Sequence, residues 1–173
     1  VLSFLSTNKD SIVGQLSSGY SDVARFHKLL ATQVEVWSEQ ISILKQTFSS
    51  LRHRIDIDDW HVLFEYSIPR RGKRIDVIII ASSMIILLKF KVVETKYHSH
   101  DKMQVEDYCL DLRDFHAESH NKVIVPVLVA TEASAVSLLY ELDDDNVKSL
   151  HLANKSNLTI AFQSIFKKYK YLQ

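Results

Sequence analysis

The chain has 173 residues, of which 46% are hydrophobic and 24% charged, values that fit an ordinary soluble domain with a hydrophobic core. Lys plus Arg and Asp plus Glu number 21 each, so any nucleic-acid contact must come from a local basic patch and not from a basic field over the whole chain. The single cysteine, Cys109, excludes an internal disulfide framework and fits a reducing compartment such as the cytoplasm, and no apolar run reaches the ~18 residues of a membrane span.

The N-terminal third is predicted to be mainly helical. Residues 1–5 could form a short strand, and residues 6–10 offer N-cap side chains for a helix that would stop at Ser17-Ser18-Gly19. Between residues 21 and 50, apolar side chains recur at three- and four-residue steps, which predicts one or two helices. The polar residues 51–59 are predicted to be a connection.

Three strands follow, joined by short turns. Residues 60–68 form the first, with Glu65 near its end; residues 75–80 form the second, with Asp76 near its start; residues 84–91 form the third. Such short turns imply an antiparallel meander. The first turn carries four cations, which could contact a phosphate backbone or simply form a solvated hairpin tip: Arg70, Arg71, Lys73 and Arg74.

The remainder alternates between helices and strands. We expect a polar loop over 94–102, a helix over 103–116, a buried strand over 123–130, a helix over 131–142, a solvated acidic turn at 143–146, a strand over 147–152 and a helix over 157–171. Helices before and after a mixed sheet predict a three-layer α/β/α sandwich. Residues 1–173 would form one domain, with a helical part (1–50), a core that carries the motifs (60–131) and a C-terminal helix–strand–helix (132–173).

Three charged side chains lie within the apolar second and third strands. Asp76 follows Ile75, and Lys89 and Lys91 flank Phe90. Alternation along a strand sends both lysines to one face and Phe90 to the other, into the core. A charge in such a strand is costly unless it is paired or functional. An acid on one strand and a lysine on its neighbour suit metal-dependent phosphodiester cleavage, so the pattern predicts a nuclease-type phosphate site.

The order of the motifs resembles the PD-(D/E)XK nuclease superfamily, whose fold is the restriction-endonuclease-like fold. In the RecB-like branch an Asp is followed by acid-x-Lys and then by Gln-x-x-x-Tyr on the next helix. This chain has Asp76, then Lys89-Phe90-Lys91, then Gln104 and Tyr108. Over residues 60–131 it is similar, more narrowly, to the N-terminal region of a bacterial family in which a nuclease-like domain precedes a Schlafen-group-3-type DNA/RNA helicase.

The resemblance implies a role for each motif residue. Asp76 would bind Mg²⁺ with Glu65 as a supporting acid, and Lys91 would orient the attacking water or stabilise the transition state. Gln104 and Tyr108 would position the nucleic acid or the catalytic strand. From the residues alone, these two side chains could equally be a helix face that packs on the sheet.

Lys89 departs from the family pattern, which has an acid at this position. An ammonium cannot ligate Mg²⁺ and would repel it. Lys89 is therefore either an engineered knockout or the mark of a natural protein that lost cleavage and kept nucleic-acid binding. Glu94 lies beyond the strand end, so Glu65 is the better substitute acid, and Glu39 could support it.

Three functions remain open on the sequence. The first is a nuclease domain that acts on DNA, with RNA also possible, associated with a helicase domain in cis or in trans and inactive or weakened by Lys89. The second is a non-catalytic nucleic-acid-binding module. The third is a protein-docking module that binds a helicase or forms a homodimer.

Overall fold

The computed structural model describes residues 1–21, 27–68, 71–136, 139–140 and 146–171. The chain divides into two compact units, Val1–Asp58 and Asp59–Gln173. The expectation of one domain over residues 1–173 stays a prediction. No helix in the described ranges is long and apolar enough to cross a membrane.

The first unit contains three helices: α1 (Leu2–Ser6), α2 (Lys9–Ser21) and α3 (His27–Leu51). The predicted strand at residues 1–5 is wrong. The carbonyls at the end of α1 are satisfied from far along the chain, because the Lys45 ammonium on α3 donates to the Phe4, Leu5 and Thr7 oxygens at 2.8, 3.0 and 2.6 Å.

The predicted stop at Ser17-Ser18-Gly19 is also wrong, because α2 continues to Ser21. The Ser17 and Ser18 hydroxyls donate to the carbonyls of Val13 and Gly14 at 2.8 and 3.0 Å. These bonds to the preceding turn hold the serines within the helix instead of ending it.

The second unit is built on a six-stranded mixed sheet with the order β1-β2-β3-β4-β6-β5. The strands are β1 (His61–Ser67), β2 (Arg74–Ala81), β3 (Met84–Lys91), β4 (Val123–Ala130), β5 (Leu139–Tyr140) and β6 (Leu150–Ala153). β1, β2 and β3 form the predicted antiparallel meander. β4 is parallel to both β3 and β6, while β5 pairs antiparallel with β6.

Helices lie on both faces of this sheet. Helix α4 (Ser99–Phe115) crosses from β3 to β4, and its Val105 and Cys109 join a buried cluster with Leu87 of β3. Leu152 of β6 belongs to the same cluster. Its neighbour His151 therefore points to the opposite face, because side chains alternate along a strand. There its ring lies 6.1 Å from that of Tyr169 on α5 (Leu158–Tyr169). Residues 59–173 therefore form the predicted α/β/α sandwich around a mixed sheet.

Pro126 occupies a central strand at a place where no ladder bond is lost. Ile124 exchanges backbone hydrogen bonds with Asn146 and Lys148, so its peptide groups point toward the β6 side. Pro126, two residues later, points the same way, and the ladder with β6 resumes only at Val127. Its missing N–H falls in this gap.

Two predicted elements of the second unit differ from the structure. Helix α4 begins at Ser99, within the predicted polar loop, and Asp101 in its first turn suits the positive end of the helix dipole. Residues 131–136 are not helical, because the Thr131 and Ala133 carbonyls accept from the Lys155 N–H and the Asn154 side chain. Of the rest of that predicted helix, 137–138 and 141–142 lie outside the described residues, as do 143–145 of the predicted acidic turn.

Candidate functional site

Asp76 and Lys89 meet directly across β2 and β3. They lie one position beyond the last ladder pair, Val77 and Leu88. The Lys89 ammonium is 2.8 Å from one Asp76 carboxylate oxygen, and the Phe90 N–H donates to the other at 2.9 Å. Both Asp76 carboxylate oxygens are therefore hydrogen-bonded, one to the Lys89 ammonium and one to a backbone N–H at the end of the β2–β3 pairing.

Lys91 binds a different acid. Its ammonium lies 2.6 Å from Asp101 in the first turn of α4, and His100 Nε2 approaches the same oxygen at 2.9 Å. The Asp101 residue is only 2% exposed. The predicted loop over 94–102 hides the role of Asp101; an acid in the first turn of a helix is the signal that points to it. The two lysines of β3 therefore serve two separate carboxylates.

Glu65 of β1 faces Asp76 in the strand register. The flanking pairs are Phe64 with Val77 and Tyr66 with Ile75, and the pair between them is interrupted where Glu65 adopts a φ of 52°. The Glu65 carboxylate accepts a hydrogen bond from the Arg74 guanidinium at 3.2 Å. The structure therefore places the two proposed acids on neighbouring strands, but gives each a cationic partner. Glu39 lies on α3 in the first unit, and its supporting role stays a prediction.

Tyr108 lies beside Lys89, and Gln104 is bonded to Tyr108. The Gln104 side-chain amide donates to the Tyr108 hydroxyl at 3.2 Å. The Lys89 and Lys73 ammonium groups lie 5.8 and 5.7 Å from the centre of the buried Tyr108 ring. At these distances the ring attracts both ammonium groups by cation–π interaction. The helix motif thus packs on the sheet and also contacts the proposed site. Its role toward nucleic acid stays a prediction.

The basic turn between β1 and β2 is held against α4. Arg71 and Lys73 bind the two carboxylate oxygens of the buried Asp111 at 3.0 and 2.7 Å, and the Arg71 guanidinium lies 4.9 Å from the Phe115 ring. Arg70 falls outside the described residues. The sequence does not indicate this role of Asp111, because only the fold brings α4 next to the basic turn. Phosphate contacts by Arg71, Lys73 and Arg74 stay predictions and would compete with these carboxylates.

The described residues do not fit a magnesium ion. Among them, no group of three or more His, Cys, Asp or Glu side chains could hold a metal. Asp76 is bonded to an ammonium and an amide, and Glu65 to a guanidinium. Mg²⁺ requires near-octahedral oxygen ligands, and the Lys89 ammonium would repel it.

Cys109 packs in the core and is not a candidate nucleophile. Its side chain is buried on α4 within the cluster that includes Leu87 and Val105. Burial, with a smaller contribution from Glu106, raises the pKa of the Cys109 thiol well above its usual value. Burial and a raised pKa both favour the protonated, unreactive thiol.

The comparisons with known proteins give a distant likeness to a solved structure. No protein-family model and no curated protein matches the chain. Among solved structures, it is similar to the crystal structure of a repair endonuclease from Pyrococcus abyssi, with 19% identity and a TM-score of 0.34, over 50% of this chain and 38% of that one. At this TM-score, any assignment of function rests on the chain's own side chains.

Proposed function

We propose that the chain is a nuclease-type domain of the PD-(D/E)XK kind, directed at DNA, whose cleavage is disabled by Lys89. The observation that supports it best is the Asp76–Lys89 pair at 2.8 Å, at the strand end where the family pattern has two acids. The contact of Tyr108 with Lys89 adds the helix motif to the same face of the sheet. The resemblance implies Mg²⁺ only for a chain with an acid at position 89.

The partners proposed for this domain come from the narrower resemblance. A Schlafen-group-3-type helicase domain, in cis or in trans, would supply unwound DNA, and RNA is a possible second substrate. A cytoplasmic location is part of the same proposal, since the lone Cys109 suits a reducing compartment.

A protein-docking module is the second candidate. The described cations of the basic turn are bonded to Asp111 and Glu65, and the chain carries no net charge. A phosphate backbone would therefore have to displace carboxylates to bind there, which favours docking to a helicase or to a second copy over nucleic-acid binding. A dimer in analytical ultracentrifugation, together with no DNA binding at low salt, would support it.

The test compares cleavage by the chain and by Lys89→Glu on single- and double-stranded DNA and on RNA, with Mg²⁺ or with EDTA. The nuclease proposal expects a rate at least ~100-fold higher for Lys89→Glu, in Mg²⁺ alone, because an acid restores the expected site. Lys122→Glu is the matched control, because this exposed lysine precedes β4 at the opposite end of the sheet and carries the same charge reversal. If Lys89→Glu cleaves no substrate, the nuclease proposal is wrong and the docking module takes its place.

A further inference from the structure

We infer that the Lys89 ammonium is the permanent counterion of Asp76 and takes the place of a divalent cation. The domain would then fold without metal and bind none at this site. This inference rests on the proposed function for the identity of the site. It concerns what the site binds, and it can fail or hold separately from cleavage.

The burial of the pair is the first step. The Asp76 and Lys89 side chains are 15% and 16% exposed, so neither charge is well solvated. A carboxylate this buried needs a compensating charge and hydrogen bonds. Lys89 provides the charge at 2.8 Å, and the Phe90 N–H provides a second bond at 2.9 Å. Both oxygens of Asp76 are thus engaged by groups of this chain.

The surroundings of Lys89 are the second step. Its ammonium lies 5.8 Å from the centre of the Tyr108 ring, and Gln104 holds the Tyr108 hydroxyl. An aromatic face attracts a nearby ammonium, so Tyr108 helps to hold Lys89 in place. Lys91, which could otherwise compete for Asp76, is bound to Asp101. Each lysine of β3 is therefore assigned to one acid.

The substitution Lys89→Glu should reverse this arrangement. It would place a second carboxylate beside Asp76 and remove its cation, so that two like charges share a poorly solvated site. The folded state would lose stability until a divalent cation neutralised the pair. A cation that binds the folded state alone raises the melting temperature by mass action.

The experiment measures thermal unfolding of the chain, Lys89→Glu and Lys89→Glu/Asp76→Asn, each in EDTA and in Ca²⁺ or Mg²⁺. We expect one melting temperature for the chain in all three solutions. Lys89→Glu should melt at least ~3 °C lower in EDTA and recover in Ca²⁺ or Mg²⁺. The double variant, which lacks the like-charge pair, should be insensitive to either cation.

Two results would overturn the inference. One is a rise in the melting temperature of the unsubstituted chain in Ca²⁺ or Mg²⁺ that Asp76→Asn removes. The other is a Lys89→Glu variant whose melting temperature is the same in EDTA, Ca²⁺ and Mg²⁺. If Lys89→Glu does not fold in EDTA, folding on addition of Ca²⁺ supports the inference, and failure to fold in Ca²⁺ as well contradicts it.

Cleavage separates this inference from the proposed function. A Lys89→Glu variant that responds to cations but cleaves nothing would contradict only the nuclease proposal. The opposite pair of results is also distinguishable. If Lys89→Glu cleaves in Mg²⁺, but the unsubstituted chain also binds Mg²⁺ through Asp76, only the counterion role of Lys89 is contradicted.

Discussion

Val93 adopts a left-handed backbone conformation that its side chain does not favour. Its φ is 64°, its side chain is branched at Cβ, and it is 74% exposed just after β3. The conformation is held by the turn, since the Val93 N–H donates to the Thr131 hydroxyl at 2.8 Å and the Glu94 N–H to the Lys91 carbonyl. A residue with a Cβ pays roughly 1–2 kcal/mol in this region.

Val93→Gly should therefore stabilise the protein. Glycine relieves the strain but loses roughly 0.5–1 kcal/mol more backbone entropy on folding, which leaves a net gain of about 0.5–1 kcal/mol. Urea unfolding measures the change. Val92→Gly is the control, because Val92 has a negative φ and the same substitution there should destabilise. Equal losses at both positions would show that φ at Val93 carries no strain.

His151 makes stability depend on pH. It is 7% exposed, edge-on to the Tyr169 ring, and burial, with a smaller contribution from Lys168, lowers its pKa from 6.5 to about 4. The unfolded chain binds the proton more readily than the folded chain. The stability that this histidine contributes is therefore complete above pH 6.5 and is lost as the pH falls to about 4.

The expected loss over that window is about 3 kcal/mol. It is measured by urea unfolding between neutral and mildly acidic pH, for the chain and for His151→Gln. The variant should lose less stability over this range, because it has no imidazole to protonate. His53→Gln, at an exposed position, should keep the pH dependence. A His151→Gln variant with the unchanged pH profile would contradict the assignment.

At the scale of elements, the Lys45 side chain of α3 ties down the end of α1, beside an edge contact between the Phe4 and Phe48 rings. None of the residues of α1 is buried, while the Lys45 ammonium donates to two of its carbonyls and to that of its C-cap residue Thr7, and lies 5.2 Å from the Phe4 ring centre. Burial lowers the pKa of Lys45, but these carbonyls at the negative end of the helix suit the charged form. Five residues alone cannot sustain a helix in water.

Lys45→Met should release α1 while the rest of the first unit stays folded. We expect amide hydrogens of residues 5–7 to exchange at least ~10-fold faster, which corresponds to the loss of about 1.4 kcal/mol of local protection. Hydrogen exchange followed by mass spectrometry measures it. Lys9→Met is the matched control, because it also removes an ammonium that faces α3, but one whose hydrogen bond, at 3.4 Å, is to the Ser42 hydroxyl. Equal protection in both variants would show that Lys45 does not hold α1.

Elements with a clear hydrophobic pattern could be predicted from the sequence. The meander β1–β3 and the fully buried strand β4 follow from apolar runs between short turns. Two of the misassigned segments depend on partners far along the chain: α1 on Lys45, and the turn after β4 on Asn154. Such long-range hydrogen bonds leave no local signal.

The candidate site shows the same division. Asp76, Lys89 and Tyr108 could be named from strand alternation and the family pattern, and the structure brings them together. The ion pairs of Asp101 and Asp111 could not, because both acids lie on α4 and meet their lysines only when α4 packs on the sheet. These two acids fix where the lysines of the site and the turn point.

At the scale of the whole molecule, basic and acidic residues are equal in number, and those around the site form local ion pairs. Net charge is zero, and the described cations of the site and of the basic turn face carboxylates on β1, β2 and α4. Replacing the cation at position 89 by an acid therefore acts on one local ion pair, that with Asp76, and leaves the other pairs in place.

The most direct measurement of the site is cleavage of a mixed panel of single- and double-stranded DNA in Mg²⁺ by three variants. These are Lys89→Glu, Lys89→Glu/Asp76→Asn and, as a control for loss of an acid elsewhere, Lys89→Glu/Asp114→Asn, since Asp114 is exposed and contacts its neighbour Arg113. We predict cleavage by the first and third variants and none by the second. Cleavage that survives Asp76→Asn, or no cleavage by any variant, would contradict a nuclease-type site built on Asp76 and residue 89.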